Sequence, residues 1–203
     1  MSIFPGKTNL ASRNSASSIM KVTFVRHGEA AHNVSYTLRQ DESAYTDPVH
    51  RDAPLTAQGK LQAEQVKLEG PYDVAFVSSL TRTLQTFDII RMHTSCAKAI
   101  VTDFLLERQG GGHICNQRRD LDTLQRKFPD FEYAIPPAST RHYQMEFETA
   151  EELRERVRFI VDIARKMGGE NVLMVSHHDV IQAYTGQSLP NCGYCVVEET
   201  SLS

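Results

Sequence analysis

Apolar positions along the chain follow two different periods. Short runs rich in β-branched and aromatic side chains recur at residues 21–25, 74–77, 100–101 and 171–175, and a last one spans 193–198. Such runs predict strands. Between them apolar side chains return every three or four residues, the period of a helix with one buried face. The clearest case follows Thr149. Glu152 stands three residues on, as a capping box requires, and Leu153, Val157, Ile160 and Ala164 form a single stripe that stops at Gly168. Leu121, Leu124 and Phe128 predict a second helix ended by Pro129, and Leu80, Leu84 and Phe87 a third. A fourth helix is predicted after Thr56, carrying Leu61 and Leu68, with Gly59 weakening its first turn. Residues 40–52 and 129–148 hold Pro, Asp and other charged residues without a period and read as loops. Loops beside a sheet edge shape a substrate opening.

Strands alternate with helices, so the expected fold is α/β: a three-layer sandwich with a mostly parallel central sheet and helices on both faces. No repeat or linker divides it. One domain is expected over residues 21–203, preceded by a flexible amino-terminal tail, residues 1–20, that is Ser-rich and lacks any acid. A chain of 203 residues buries enough surface to fold without a metal or disulfide.

Composition then narrows the partners. No apolar run approaches the roughly eighteen residues of a membrane span, so no membrane partner is expected. A net charge of -3 argues against nucleic-acid binding. The four cysteines, Cys96, Cys115, Cys192 and Cys195, follow no disulfide framework and no secretory signal precedes them, which gives a cytoplasmic location. Cys192 and Cys195 have redox-motif spacing but lack the strand-to-helix setting that lowers a thiol pKa.

In open α/β sheets ligands sit beyond the carboxyl ends of the strands, so the polar residues that follow each strand carry the chemistry. The first strand leads into Arg26, His27 and, one turn later, His32 and Asn33. The second leads into Arg82, the third into Glu107, and the fourth into His177, His178 and Asp179. Guanidinium groups bind phosphoryl oxygens through paired, charge-assisted donors. An imidazole with one unprotonated nitrogen can attack phosphorus; Arg26 and Arg82 are expected to lower the pKa of His27, and Gly28 to permit a tight turn beside it. Glu107 beside a dianion is expected to hold its proton for the leaving oxygen. Alone, each residue has a structural reading too: Glu107 could cap a helix or pair with Arg108, His32 could be a helix-face polar group, and Arg118 and Arg119 read as the solvated start of a helix. The histidines at 177 and 178 with Asp179 could instead seed a metal site with His27. The arginines would repel such a cation, so no metal and no cofactor are expected.

The segments "VRHGEAAHN", "APLTAQGKLQAEQV", "VSSLTRTLQT", "LLERQGG", "VSHHD" and "LPNCGYCVVE" occur in that order. With them the chain, from about residue 21 to 198, resembles the histidine phosphatase superfamily, the phosphoglycerate mutase-like family. That resemblance implies a phosphohistidine on His27, phosphate held by Arg26, Arg82 and His177 with Asn33 as a further ligand, and Glu107 as proton donor. Where many members have Gly after the second histidine, this chain has His178 and Asp179, which adds a second imidazole as a candidate substrate contact. The stretch after the "GGG" run is similar to phosphoglycerate mutase-like proteins of plants and fungi. The expected activity is that of a metal-independent phosphoric monoester hydrolase of the histidine acid phosphatase type, acting on a phosphorylated small molecule or phosphoprotein. The alternatives are a 2,3-bisphosphoglycerate-dependent phosphoglycerate mutase, or a phosphate-binding module without catalysis. A mutase must retain a bisphosphate, and the insert from Glu107 to Thr149 carries only scattered basic residues.

Overall fold

The computed structural model describes residues 19–135 and 146–200. Its strands are β1 (Met20–Arg26), β2 (Val74–Ser78), β3 (Ala99–Thr102), β4 (Glu132–Tyr133), β5 (Asn171–Ser176) and β6 (Tyr194–Glu199). They form one sheet in the order β4-β3-β2-β5-β1-β6, parallel throughout except for β6, which runs antiparallel to β1 at the edge. Parallel strands need crossovers, and the helices supply them: α1 (Ala31–Arg39), α2 (Ser43–Thr46), α3 (Ala57–Glu64), α4 (Thr81–Ile90), α5 (Leu121–Lys127), α6 (Ala150–Lys166) and α7 (His178–Thr185).

Alternation along each strand sends side chains to two cores. Val22, Phe24, Phe76, Val172 and Met174 meet Leu153, Val157, Ile160 and Ala164 of α6, together with Val180 and Ile181 of α7. Val25, Ala75, Val77, Leu173 and Val175 face the other way onto Leu84, Phe87 and Ile90 of α4 and Leu124 of α5. The sandwich is thus three layers deep, as the pattern predicts. The capping box at Thr149 and Glu152 is formed, with Glu152 N–H donating to Thr149 Oγ1 at 3.2 Å.

Several expectations need correction. Met20 belongs to β1, opposite Glu199, and is buried; residues 1–18 of the expected tail lie outside the described residues. The loop reading of 129–148 misses β4, a two-residue edge strand too short to show a period, and residues 136–145 within it are not described. Residues 40–52 include α2 and a 3-10 turn at Pro48–His50. Helix α3 ends at Glu64, before Leu68, and Leu61 is half exposed.

Gly59 is in α3 for a reason of space. A Cβ there would lie 2.0 Å from Glu29 O, and one on Gly28 would lie 2.4 Å from Gly59 O. The two glycines let α3 press directly on the chain beside His27. Gly28 has no positive φ, so close approach and not a left-handed turn explains it. In an open helix Gly→Ala stabilises by roughly 1 kcal/mol, but here the overlap is with backbone that cannot swing away. Gly59→Ala is therefore expected to lower the melting temperature, with about 2–4 °C lost per kcal/mol for a chain of this size. Thermal unfolding followed by circular dichroism checks this; an unchanged or higher Tm would mean that the contact is loose.

Candidate active site

The carboxyl ends of β1, β2, β3 and β5 share one rim, and four chain segments leaving it build the site. His27 extends β1 by one residue. Its N–H donates to Ser176 O at 3.1 Å, and its carbonyl accepts from Cys192 N–H at 3.2 Å and from Asn191 Nδ2 at 3.0 Å. The backbone of the residue is thus clamped from both neighbouring elements.

Its ring is defined as tightly. Nδ1 lies 2.7 Å from the carbonyl of Gly28, and Nε2 lies 3.2 Å from Arg82 Nε. A guanidinium keeps all its protons in a protein. Arg82 Nε–H therefore donates, Nε2 carries the lone pair, and Nδ1–H donates to Gly28 O. Burial lowers the pKa of His27 well below the ordinary imidazole value, and the charges of Arg82 and, less, Arg26 push the same way. The arginine effect expected from the sequence is present, but desolvation is larger.

Arg82 is fully buried on the first turn of α4. Its other donors reach Cys115 O and Asn116 Oδ1, both at 2.9 Å, so none of its three partners is a carboxylate. Arg26 at the end of β1 donates to Leu189 O at 2.7 Å and approaches His178 Nδ1 at 3.5 Å, while its buried Nε has no partner. Arg82 is buried and Arg26 partly so, and the direct hydrogen-bond partners of both guanidinium groups are neutral, an arrangement suited to receiving an anion.

His177 caps α7 and is wholly buried, its ring centroid 5.1 Å from that of His27. Nε2 lies 2.8 Å from Ser78 Oγ and Nδ1 has no partner. A metal shared by His27 and His177 would need His27 Nε2, the nitrogen already taken by the Arg82 guanidinium. The metal reading loses its main ligand there.

Glu107 follows β3 and the 3-10 turn Asp103–Leu105 and lines a cavity together with Arg26, His27 and Arg82. Its Oε1 accepts Arg108 N–H at 2.9 Å, but the Arg108 guanidinium goes elsewhere, to Glu148 O and over the Phe147 ring, so the two do not form the ion pair that sequence allowed. Desolvation, with the Asp179 carboxyl adding, pushes the pKa of Glu107 up to about 7 against the pull of Arg108 N–H, Arg82 and Arg26. The protein alone raises it, without the dianion that the sequence argument invoked.

Asn33 and His178 also line the cavity, which encloses about 330 Å³. Asn33 uses Oδ1 to accept Ala30 N–H at the start of α1, and its Nδ2 donates to His32 Nε2 at 3.2 Å. His32 is buried in the wall, with Nδ1 unpartnered. Cys192 and Cys195 have no disulfide, and burial pushes the Cys192 thiol up to about 12, opposite to what redox work needs. Arg118 is no solvated helix start: it pairs with Asp103 at 2.9 Å ahead of α5.

Some positioning residues carry no signal in the sequence. Buried Asp52, at φ 51°, accepts Thr81 N–H and Oγ1–H at 2.7 Å and Arg119 N–H at 3.1 Å, tying the α4 N-terminus that bears Arg82 to the 113–119 loop that holds it. Glu148 pairs with Arg156 at 2.8 Å and accepts Gln109 N–H at 2.8 Å, fixing the loop after Glu107. Both lie far in sequence from what they orient.

Arg26, His27, Arg82 and Glu107 thus line one hollow at the rim of an α/β sheet, with His177 buried against His27. The chain belongs to the histidine phosphatase superfamily, whose branch 1 model matches residues 22–193. Among curated relatives it is 28% identical to "Probable phosphoglycerate mutase GpmB" of Escherichia coli over 163 residues, 78% of this chain and 70% of the relative. Its fold is similar to the ecdysone phosphate phosphatase of Bombix mori solved with tungstate (TM-score 0.63, 15% identity, 91% of this chain and 92% of that one). It is also similar to a mycobacterial glucosyl-3-phosphoglycerate phosphatase solved with VO3 (TM-score 0.58, 16% identity, 90% and 97%).

Imidazole nitrogen NMR tests the site directly. At pH 6 His27 is expected as the neutral Nδ1–H tautomer with Nε2 bare; a doubly protonated ring at that pH would refute the geometry.

Proposed function

We propose that this chain is a phosphomonoester phosphatase that works through a phosphohistidine on His27 Nε2. The observation that carries the reading is the Arg82 Nε contact to that nitrogen, which keeps Nε2 unprotonated in a cavity that Arg26 and Arg82 also line. A phosphoryl dianion replaces His27 as the acceptor for Arg82 while Arg26, His177 Nδ1–H, Asn33 and His178 take its remaining oxygens. The Nε2 lone pair then forms the N–P bond, the P–O ester bond breaks, and the Glu107 proton passes to the leaving oxygen, releasing an alcohol. Water next attacks phosphorus and gives a proton to Glu107. The N–P bond returns its electron pair to Nε2, and inorganic phosphate leaves. Arginine and imidazole meet the developing charge, so the chemistry asks for no metal.

A mutase is the second reading, favoured by the name of the Escherichia coli relative. It fits this cavity less well, because the wall beyond the phosphate residues carries Glu42 and Asp179 against Arg108. A binding module without catalysis has no use for a bare Nε2 beside a carboxyl that holds its proton.

Brief incubation with a radiolabelled phosphomonoester and an alkaline quench should leave label on His27. His27→Ala should lose both label and turnover, and Arg82→Ala should slow turnover about 10²–10³-fold, the usual cost of one preorganised donor. Turnover surviving His27→Ala would overturn the proposal, and isomerisation of 3-phosphoglycerate faster than its hydrolysis would select the mutase.

The pH profile follows from the directions above. The acid form of Glu107 is lost as pH rises through about 7, so kcat/KM should fall there. On the acid side the rate should hold below the ordinary imidazole pKa, since His27 gains a proton only at its lowered value. Asp179→Asn removes a carboxyl that raises Glu107 and should move the alkaline limb to lower pH; a limb that stays or moves up would mean that Glu107 is not the donor.

A further inference from the structure

We infer that the preferred substrates of this site carry a planar ring next to the ester oxygen and no second anionic group, an inference that rests on the phosphatase reading above. The phosphate half of the cavity is built from Arg26, His27 and Arg82. What lies beyond it is a row of rings. From His27 the centroid of His32 is 6.2 Å away, Tyr45 stands 6.1 Å from His32, His113 5.0 Å from Tyr45, and Phe147 4.9 Å from His113. All five rings line the one cavity. They come from the turn after β1, from α1, from α2, from the loop after Glu107 and from the approach to α6, so sequence neighbourhood does not account for the row.

The outer rings are built in place. Tyr45 is backed by Tyr36, stacked at 5.1 Å. Phe147 lies against Gly111, where a Cβ would fall 2.1 Å from its ring, and Arg108 covers the ring at 5.0 Å. Gly110 and Gly111 both have positive φ, so the glycine run gives the backbone bend and the space that hold Phe147 at the rim. Yet Tyr45 and His113 are only half buried, and Phe147 remains 38% exposed. Rings fixed on one side and open on the other offer faces and edges to a second planar group, which prefers offset or edge-on contact with them. A cavity of about 330 Å³ is within the range that encloses a small ligand.

Charge sets the other half of the selection. Glu42 and Asp179 stand in the same outer wall as Arg108. A second phosphate or a carboxylate on the leaving group would meet two carboxyl groups in a partly desolvated hollow, where like charges cost most. A neutral or cationic ring meets no such cost.

Three synthetic esters of primary alcohols, similar in leaving-group reactivity, test this: benzyl phosphate, cyclohexylmethyl phosphate of nearly equal size, and 4-carboxybenzyl phosphate. The wild-type chain should favour benzyl over cyclohexylmethyl in kcat/KM by about fivefold or more, the scale of one or two aromatic contacts, and should disfavour the carboxylated ester. Tyr45→Leu and Phe147→Leu should each shrink the benzyl to cyclohexylmethyl ratio. Because both esters are measured on the same preparation, loss of folded protein does not move that ratio. Equal rates for benzyl and cyclohexylmethyl, or a ratio unmoved in both variants, would overturn the planar preference. A carboxylated ester turned over as fast as benzyl would overturn the charge selection. If none of the three is hydrolysed, the phosphatase reading itself falls.

Discussion

The arrangement depends on one hydrogen bond, from a guanidinium that cannot lose its proton to an imidazole nitrogen that must therefore lack one. Arg82 is fully buried and still charged, although burial lowers its pKa. Placing such a group in a core is costly, and neutral acceptors recover only part of the cost. The structure spends two loop groups, the Cys115 carbonyl and the Asn116 side chain, on holding it, and leaves its charge without a carboxylate partner. A surface arginine could bind phosphate as well. Only a buried one also fixes the tautomer of its neighbour, because water would otherwise offer His27 Nε2 a proton.

That constraint explains much of the surrounding architecture. The guanidinium and the imidazole come from the ends of β2 and β1, with β5 between them in the sheet. Two strand spacings, roughly 10 Å, separate those ends, and the Arg82 side chain spans the gap to reach Nε2 at 3.2 Å. Errors of an ångström matter to a bond of this kind, and the clamps remove them: Ser176 and Cys192 on the His27 backbone, Asp52 on the first turn of α4, and the Gly28–Gly59 contact that seats α3. The His177 ring enters from the third strand end with one nitrogen tied to Ser78. Residues that never touch a ligand are thus as exacting as those that do.

Sequence reasoning reached the parts of this that are local or periodic. The core strands alternate between two buried faces and so read clearly, and α6 has a stripe, a cap and a stop within one stretch. The rim rule then gathers Arg26, His27, Arg82, Glu107 and His177 from strand ends alone; the first four line one cavity, and His177 is buried against His27. Helix α1 escaped because its apolar residues, Val34, Tyr36 and Leu38, fall at every second position and Leu38 points to solvent at 79% exposure. In α3 the small residues Gly59 and Ala63 do the packing while the prominent Leu61 does not. Asp52 and Glu148 were invisible for another reason. Each orients a segment at least 29 residues away, and no spacing encodes such a partner.

The two halves of the cavity obey opposite electrostatic rules, and Asp179 stands where they meet. Its carboxyl is close enough to Glu107 to help raise the pKa of that acid, and it lines the wall that would receive the leaving group in the proposed mechanism. One charge therefore bears on two properties. In the proposed mechanism it adds to burial in raising the pH below which Glu107 holds a proton for the leaving oxygen, and it raises the cost of any leaving group that carries a negative charge of its own. On that proposal a neutral residue at 179 would relax both together, coupling selectivity for uncharged leaving groups to the working pH of the acid donor through the first turn of α7.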